Sequence, residues 1–563
     1  MTTTSRPGRP RRWLAVACTL VLATGAGVLV RPPAALAYVT INGAGSTWSQ
    51  NAVDSWRRNV AQFGMTVNYA GTGSSDGRNQ FRSGTVDWAA SDIPYGIKDG
   101  NNLDLPPTQA HPFAYMPVTA GGTTFMYNLK IGNQRVTNLR LSGTTIARIF
   151  TGGITMWNDA AIKEDNPGLR SRLPAIRIVP VVRSEGSGST AQLTQWMVGT
   201  QRSIWNAYCA AARRNPCTQT SVYPIVPGRG MVAQAGDLGV AGYVAQPQAN
   251  GAIGYVQYSY AIQAGFPVVK MLNNGGYYTE PTAGHVAVSL LKARINQNKN
   301  DPNVYLTQDL SQVYTNTDPR TYPLSGYSYM ILPVSLNAPM TTAKGETLAD
   351  FGKYALCQGQ TQVNALGYSA LPINLVQAGF DQLRKIPGAK VGNIVIRSCN
   401  NPTFSTDGTN TLAKTDPKPP DCDKKGPTQC ATGTAGAKNQ ETPVNNGTGG
   451  PGGGGPGGGN TGGPSTNPSG TPDPGSNPIA QQGACDPDTQ DCGQAGGNTG
   501  DPNVFGQPVS AEAGLGGGFR IVLMVLAGVL LLALGLGPPL IAQAGARRRQ
   551  RRSDDFTMPG GPA

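Results

Sequence analysis

The chain has 563 residues, of which 13% are charged and 39% hydrophobic, and it carries 75 Gly, 45 Pro and a formal charge of +14. That length exceeds one ordinary domain, and the charge is uneven, +11 between residues 38 and 400 but −6 between 401 and 519. A basic domain suits an anionic ligand or surface; the lack of a Lys/Arg run with interleaved aromatics argues against nucleic acid.

Residues 1–37 read as a secretory signal: Arg6, Arg9, Arg11 and Arg12, an apolar run from Trp13 to about Val30, then Ala35-Leu36-Ala37 as a small-x-small cleavage site. Arg11-Arg12 leaves the export route open between the general and the twin-arginine pathway. Cys18 sits in a poor lipobox, which argues against lipidation.

Residues 38–400 have globular composition, and at that length two lobes are expected rather than one core. Met65–Tyr69, Val86–Ala90 and the apolar run Ile176–Val182 predict strands. Helical spacing fits Ser49–Phe63, Thr144–Phe150, Ser189–Val198, Glu346–Leu356 and Leu375–Leu383. Alternating elements of this kind predict an α/β fold with largely parallel sheets.

Four turns rich in Gly and hydroxyls lie at predicted strand ends. They are NGAGSTWSQ (Asn42–Gln50), YAGTGSSDG (Tyr69–Gly77), VDWAASD (Val86–Asp92) and the turn in VPVVRSEGSGSTAQLTQWM. In the last, backbone N–H groups of about Gly186–Thr190 open a helix, where unpaired donors and the macrodipole favour an anion. Ser187 and Ser189 add hydroxyls, Arg183 adds a fork of donors, and Glu185 can hold that guanidinium. An ordinary helix cap is the competing reading of that turn taken alone. None of the four is a Walker loop or a dinucleotide fingerprint. Together they suit a cleft at the carboxyl ends of the strands.

Removing the signal leaves eight cysteines, an even number that predicts disulfides outside the cell. Nearest-neighbour pairing gives Cys209–Cys217, Cys357–Cys399, Cys422–Cys430 and Cys485–Cys492, with other connectivities open. His111 and His285 are the two histidines and no C-x-x-C pair exists, so neither metal nor cofactor is expected.

From about residue 401 the composition turns to Gly, Pro, Ser, Thr, Asn and Asp, and 401–519 is expected to be a flexible tether. Its end-to-end distance would be about 60 Å. Ile521–Ala542 lacks any charged side chain and is long enough to cross a bilayer. A transmembrane helix is therefore expected at 520–546. Arg547, Arg548, Arg549, Arg551 and Arg552 mark 547–563 as a cytoplasmic tail and place 38–519 outside the cell.

The order GAGST(W), GTGSSDG, VDWAASD, LSGTTIARIFTGGITMWNDAAIKEDNPGL, VVRSEGSGST, GAIGYVQYSYA and GYSALP resembles the phosphate-binding proteins of bacterial phosphate ABC transporters, over about residues 40–385. The resemblance implies a two-lobed type II periplasmic-binding-protein fold, with lobe I at about 38–117 and 323–400 and lobe II at about 118–322. It implies phosphate ligands Thr47, Trp48 (through its backbone), Ser74, Asp92, Arg183, Ser187, Gly188 and Ser189, with Glu185 in support. The family commonly has Phe at 48, Thr at 189 and Asp at 185; the departures keep the backbone donor, the hydroxyl and the carboxylate.

Asp92 carries the specificity argument. A carboxylate repels an anion unless the ligand brings a proton, which phosphate has and sulfate lacks. The implied protein is a monomeric bacterial substrate-binding protein, not an enzyme, serving inorganic phosphate and ABC permease subunits from a single-pass anchor. Two further functions stay open: a phosphate receptor or scavenger uncoupled from transport, and a phosphatase-like enzyme, for which neither a metal cluster nor an activated nucleophile is evident.

Overall fold

The structure of the chain, a computed structural model, describes residues 38–446 except 100–101, 109–110, 394–398 and 406. The expected signal, the tether beyond 446, the membrane span, the basic tail and Cys485–Cys492 lie outside the described residues.

The principal strands are β1 (Ile41–Gly45), β2 (Val67–Ala70), β3 (Trp88–Ser91), β4 (Phe113–Tyr127), β5 (Val179–Arg183), β6 (Val232–Gln234), β7 (Ala252–Gln257) and β8 (Ser325–Pro333). The helices that matter to the site and its support are α1 (Gln50–Ala61), α2 (Ser74–Arg82), α3 (Gly143–Phe150), α4 (Gly188–Thr200), α5 (Gly236–Ala245), α6 (Tyr258–Gln263), α7 (Ala283–Leu290), α8 (Thr342–Leu356), α9 (Ile373–Leu383) and α10 (Thr411–Thr415). The predicted strands and helices among these are all present, with ends shifted by a few residues, as frayed termini allow.

The strands form one continuous order, β6-β5-β7-β4-β8-β3-β1-β2. β2-β1-β3 and β6-β5-β7 are each parallel, and each set repeats the same βα winding at its own end. The expected largely parallel sheet is corrected by the middle of this order. β3 pairs β8, β8 pairs β4 and β4 pairs β7, all antiparallel. The physical reason is connection. β4 joins β8 through Phe113–Gly122 and then continues into β7 through Thr123–Tyr127, so one strand carries the chain from the first half to the second. β8 carries it back.

All fifteen residues of β4 and all nine of β8 are buried, which explains their unbroken runs of small, aromatic and β-branched side chains. Trp48, Trp56, Trp88, Trp157 and Trp205 are the bulkiest fully buried residues. Gly45, at φ 137°, ends β1 against β3, and a Cβ there would lie 2.0 Å from the Ala90 carbonyl oxygen. That close approach brings the turn after β1 beside the turn after β3.

Residues 401–446 correct the expected tether. They fold against the domain rather than leaving it at 401. Cys357–Cys399 fixes the chain beside the end of α8, and Asn401 and Thr403 donate to the Leu371 carbonyl at 3.0 and 2.7 Å. The segment then reaches α7 through α10. Farther on, Lys270 and Asp423 form a buried ion pair at 2.6 Å, and Arg140 donates to the carbonyls of Cys422 and Thr428 at 3.0 and 2.9 Å. Composition misled here because the segment is held by backbone and polar contacts, with small side chains such as Ala413, Cys430 and Ala437 supplying the buried surface. Cys209–Cys217 and Cys422–Cys430 are bonded, each closing a separation of 8 residues. Among the described residues no helix is long and apolar enough to cross a membrane.

Candidate functional site: a closed cleft between two strand ends

Every expected ligand residue lies at or just beyond the carboxyl end of a parallel strand, or in the first turn of the helix that follows. Thr47 and Trp48 follow β1, Ser74 opens α2, Asp92 follows β3, Arg183 ends β5, Ser187 caps α4, and Gly188 and Ser189 form its first turn. Two walls result, one from each half of the sheet, and they touch. Ser75 N donates to the Gly186 carbonyl at 3.1 Å, Gln192 Nε2 to the Asp92 carbonyl at 3.1 Å, and Arg183 Nη2 to Thr47 Oγ1 at 2.6 Å.

The first wall is built around a carboxylate. Asp92 is 2% exposed and accepts from Ser46 Oγ at 2.6 Å, Ser328 Oγ at 3.0 Å and Ser74 Oγ at 3.1 Å. Burial pushes its pKa up to about 6, the three hydroxyls oppose that rise, and the charge of Asp237 adds to it. The turn Ser46–Trp48 is pinned from outside. Tyr69, Tyr260 and Tyr368 donate their hydroxyls to the carbonyls of Ser46, Thr47 and Trp48 at 2.8, 2.6 and 2.7 Å. With those carbonyls drawn outward, the N–H groups of Thr47 and Trp48 make no hydrogen bond to other described residues. The Trp48 indole is itself buried, packs edge-on to Tyr368 and donates to Thr123.

The second wall is built around a cation. Arg183 is 2% exposed; its Nε donates to Glu185 at 2.7 Å and its Nη1 to Asp237 at 2.7 Å, with Nη2 shared between Glu185 and Thr47. Burial disfavours its charge, but Asp237 and Glu185 outweigh that and hold its pKa above the ordinary arginine value. Asp237 also accepts from Thr47 Oγ1 at 2.6 Å and from Gln257 N at 2.7 Å, which locks the pair across the cleft. Ser187 Oγ accepts from Thr190 N at 3.3 Å and so caps α4, which leaves its hydroxyl proton available to a further acceptor. Ser189 Oγ is buried with no hydrogen-bond partner among the described residues. A buried hydroxyl left so is costly unless something else bonds to it. Gly188 faces the first wall at a distance that only glycine permits: a Cβ would lie 2.4 Å from Asp92 Oδ2.

Three residues of this arrangement escaped the sequence reading. Ser46 stands inside the first Gly/hydroxyl turn and was legible there as a donor beside Thr47. Asp237 lies in a strand–turn–helix sequence, VAQAGDLG, of the same kind as the four singled out. Ser328 carried no signal, because it comes from the antiparallel return strand rather than from a strand-end turn. The histidines lie elsewhere. His285 Nδ1 is 2.8 Å from the Glu280 carbonyl and its Nε2 3.8 Å from Asp416, while His111 is half-buried near the loop at Ala338. Among the described residues no group of three or more His, Cys, Asp and Glu is placed to hold a metal.

Residues 31–358 match the PBP superfamily domain. A phosphate-binding protein PstS of Xylella fastidiosa is 31% identical over 342 residues, covering 60% of this chain and 83% of the relative. A protein of the same name from Methanocaldococcus jannaschii is 27% identical over 355 residues, covering 62% of this chain and 86% of that one. The crystal structure of a phosphate-binding protein from Stenotrophomonas maltophilia is 17% identical, covers 66% of this chain and 99% of its own, and superposes with a TM-score of 0.44. With more than half of its length in the superfamily domain and this level of identity to a curated relative, the chain belongs to the PstS family of the PBP superfamily.

Proposed function

We propose that the chain captures inorganic phosphate outside the cell between the two walls of its cleft, for delivery to an ABC-type permease. The observation that carries the reading is two buried charges on walls that touch: a carboxylate on hydroxyl donors, Asp92, on one, and a paired guanidinium, Arg183, on the other. A bound phosphate would take the N–H groups of Thr47, Trp48, Gly188 and Ser189, the hydroxyl protons of Ser187 and Ser189, the Arg183 guanidinium, and the hydroxyls of Thr47 and Ser74 once these turn from Asp237 and Asp92. Its P–O–H would donate to Asp92. Sulfate has no such proton and would set an unpaired like charge against a buried carboxylate. The fold proposed is the type II arrangement, and the similarity to proteins named phosphate-binding proteins supports the ligand.

Isothermal titration calorimetry of the full chain with phosphate, sulfate and a simple phosphate monoester tests this. The expected result is tight phosphate binding, weak sulfate binding and no ester turnover. Absence of heat with phosphate would sink the reading, and ester hydrolysis would move the protein to an enzyme class. The apolar stretch Ile521–Ala542 with its arginine flank supports a single-pass anchor that holds the domain at the outer face of the membrane. Such an anchor would serve an uncoupled receptor equally well. Phosphate uptake by cells lacking the chain separates the two.

A further inference from the structure

The two oxygens of Asp92 have different surroundings. Oδ1 accepts from Ser46 Oγ at 2.6 Å and from Ser328 Oγ at 3.0 Å, both on its own side of the cleft. Oδ2 accepts from Ser74 Oγ at 3.1 Å and looks across to the first turn of α4, where a Cβ on Gly188 would touch it at 2.4 Å. The oxygen that meets the cleft is therefore Oδ2, and Oδ1 is spoken for by two residues outside the ligand set the family resemblance implies.

The fold places both serines on purpose-built backbone. β1 and β3 are parallel neighbours, so the residue after β1 and the residue after β3 come side by side, with Ser46 N bonded to the Ala90 carbonyl at 2.8 Å. β8 runs antiparallel to β3 with Tyr329 opposite Ser91, which sets Ser328 beside Asp92. The pairing of β8 with β4 shifts register between Ser328 and Tyr329. The extra residue at that shift, Val118, belongs to β4, so β8 itself runs in regular register past β3.

Resting on the phosphate reading, we propose that Ser46 and Ser328 are positioning residues that hold Oδ1 and keep Asp92 ionised, so that Oδ2 alone accepts the ligand's proton. Their hydroxyls thereby set the pH at which the cleft stops distinguishing phosphate from sulfate. Donors to the charged form of an acid favour that form, so losing one raises the acid's pKa. The other groups facing Asp92 do not supply this function. Asp237 opposes the charge, and Tyr69, Tyr329 and Tyr368 are buried phenols whose pKa values lie above the ordinary range and which stay neutral. The direction agrees with burial having already raised Asp92.

The test is calorimetry of the full chain with phosphate and with sulfate from pH 5 to pH 8.5, on wild type, Ser328→Ala and Ser46→Ala, with thermal melting of each. In wild type the phosphate-to-sulfate affinity ratio should climb with pH as Asp92 ionises. In Ser328→Ala the midpoint of that climb should move up by about one pH unit, the size of one charge-assisted hydrogen bond. Ser46→Ala should move it the same way; it also removes the acceptor for Ser49 N at 3.1 Å, so it should melt lower than Ser328→Ala. A purely structural role would lower the melting temperature and leave the midpoint in place, which overturns the proposal alone. Wild type that binds neither anion overturns the phosphate reading and this proposal with it.

Discussion

The two walls of the cleft solve opposite electrostatic problems with different chemistry. Arg183 and Asp92 are both 2% exposed. The arginine is neutralised by full charges, Asp237 and Glu185, and its protonated state is reinforced. The aspartate is served by neutral hydroxyls, and its charge is left poised, with the pKa pushed up to about 6. A buried ion pair is stable only as a pair, whereas a carboxylate on serines can take or release a proton without breaking its surroundings. One wall is thus a fixed, ion-paired guanidinium and the other a titratable gauge. On the proposed reading, that difference lets one wall hold an anion by its donors while the other asks whether the anion carries a proton.

The comparison breaks most completely at Arg183. Arg183→Ala would strand Asp237 as an unpaired buried carboxylate, a loss of about 3 kcal/mol or more. Chemical denaturation should show that destabilisation, and calorimetry should show phosphate binding lost beyond detection. If the variant is as stable as wild type, the fixed-pair description of this wall is wrong.

Asp92→Asn strikes the other wall and should behave differently. Stability should hold or rise, because a buried charge is removed while the shape is kept. The phosphate-to-sulfate preference should collapse by about 100-fold or more, the scale for a site that demands a donor. Unchanged discrimination in competition titrations would remove Asp92 from its assigned role.

The poised charge also leaves a mark on stability. The folded protein holds the Asp92 proton up to about pH 6, while an exposed aspartate in the unfolded chain releases it near pH 3.8. Between those values the folded state binds more protons, so stability falls as pH rises through the window. The penalty is absent below the lower value and full above the upper one, about 3 kcal/mol in all. The stability of wild type minus that of Asp92→Asn, followed by urea unfolding from pH 4 to 7, should decline by about that amount; a flat difference would contradict the raised pKa.

The smallest effect is expected at Glu185, which is the more exposed of the two carboxylates on Arg183, 21% against 0% for Asp237. Glu185→Gln should weaken phosphate binding by less than about tenfold, because Asp237 alone still holds the guanidinium and exposed ion pairs contribute about 1 kcal/mol or less. A loss as deep as that of Arg183→Ala would mean that the two carboxylates act as one unit.

Much of this was legible before folding. Strand-end turns made of Gly and hydroxyls announce themselves because the residue types that permit them, Gly for close backbone approach and Ser or Thr for capping, are local requirements. Hence Arg183, Ser187 and Ser189 stand out in their own strand-end turn, while Thr47, Trp48, Ser74, Asp92 and Gly188 are named as ligands because the order of the turns resembles the phosphate-binding family. Ser328 carries neither signal. It sits in SGYSYMILP, a buried strand like any other, and acquires meaning because β8 returns antiparallel beside β3. The tyrosines that hold the Ser46–Trp48 turn come from β2, α6 and the loop before α9, a convergence no local pattern encodes.

The same division explains the one segment that composition misjudged. Residues 401–446 lack a hydrophobic stripe, and by composition they resemble the Gly/Pro-rich stretch that follows. Their order comes from partners far away in sequence, such as Lys270 for Asp423 and the Glu280 carboxylate for Ala435 N at 2.9 Å. What the sequence by itself determined was the alternation of elements, the turns that make an anion site, and the apolar and basic signals at either end. What only the tertiary structure decided was which distant residues stand beside those turns and that residues 401–446 pack onto the domain. Local backbone demands are written in neighbouring residues, whereas a hydrogen bond between buried groups is specified by whichever elements the fold brings together.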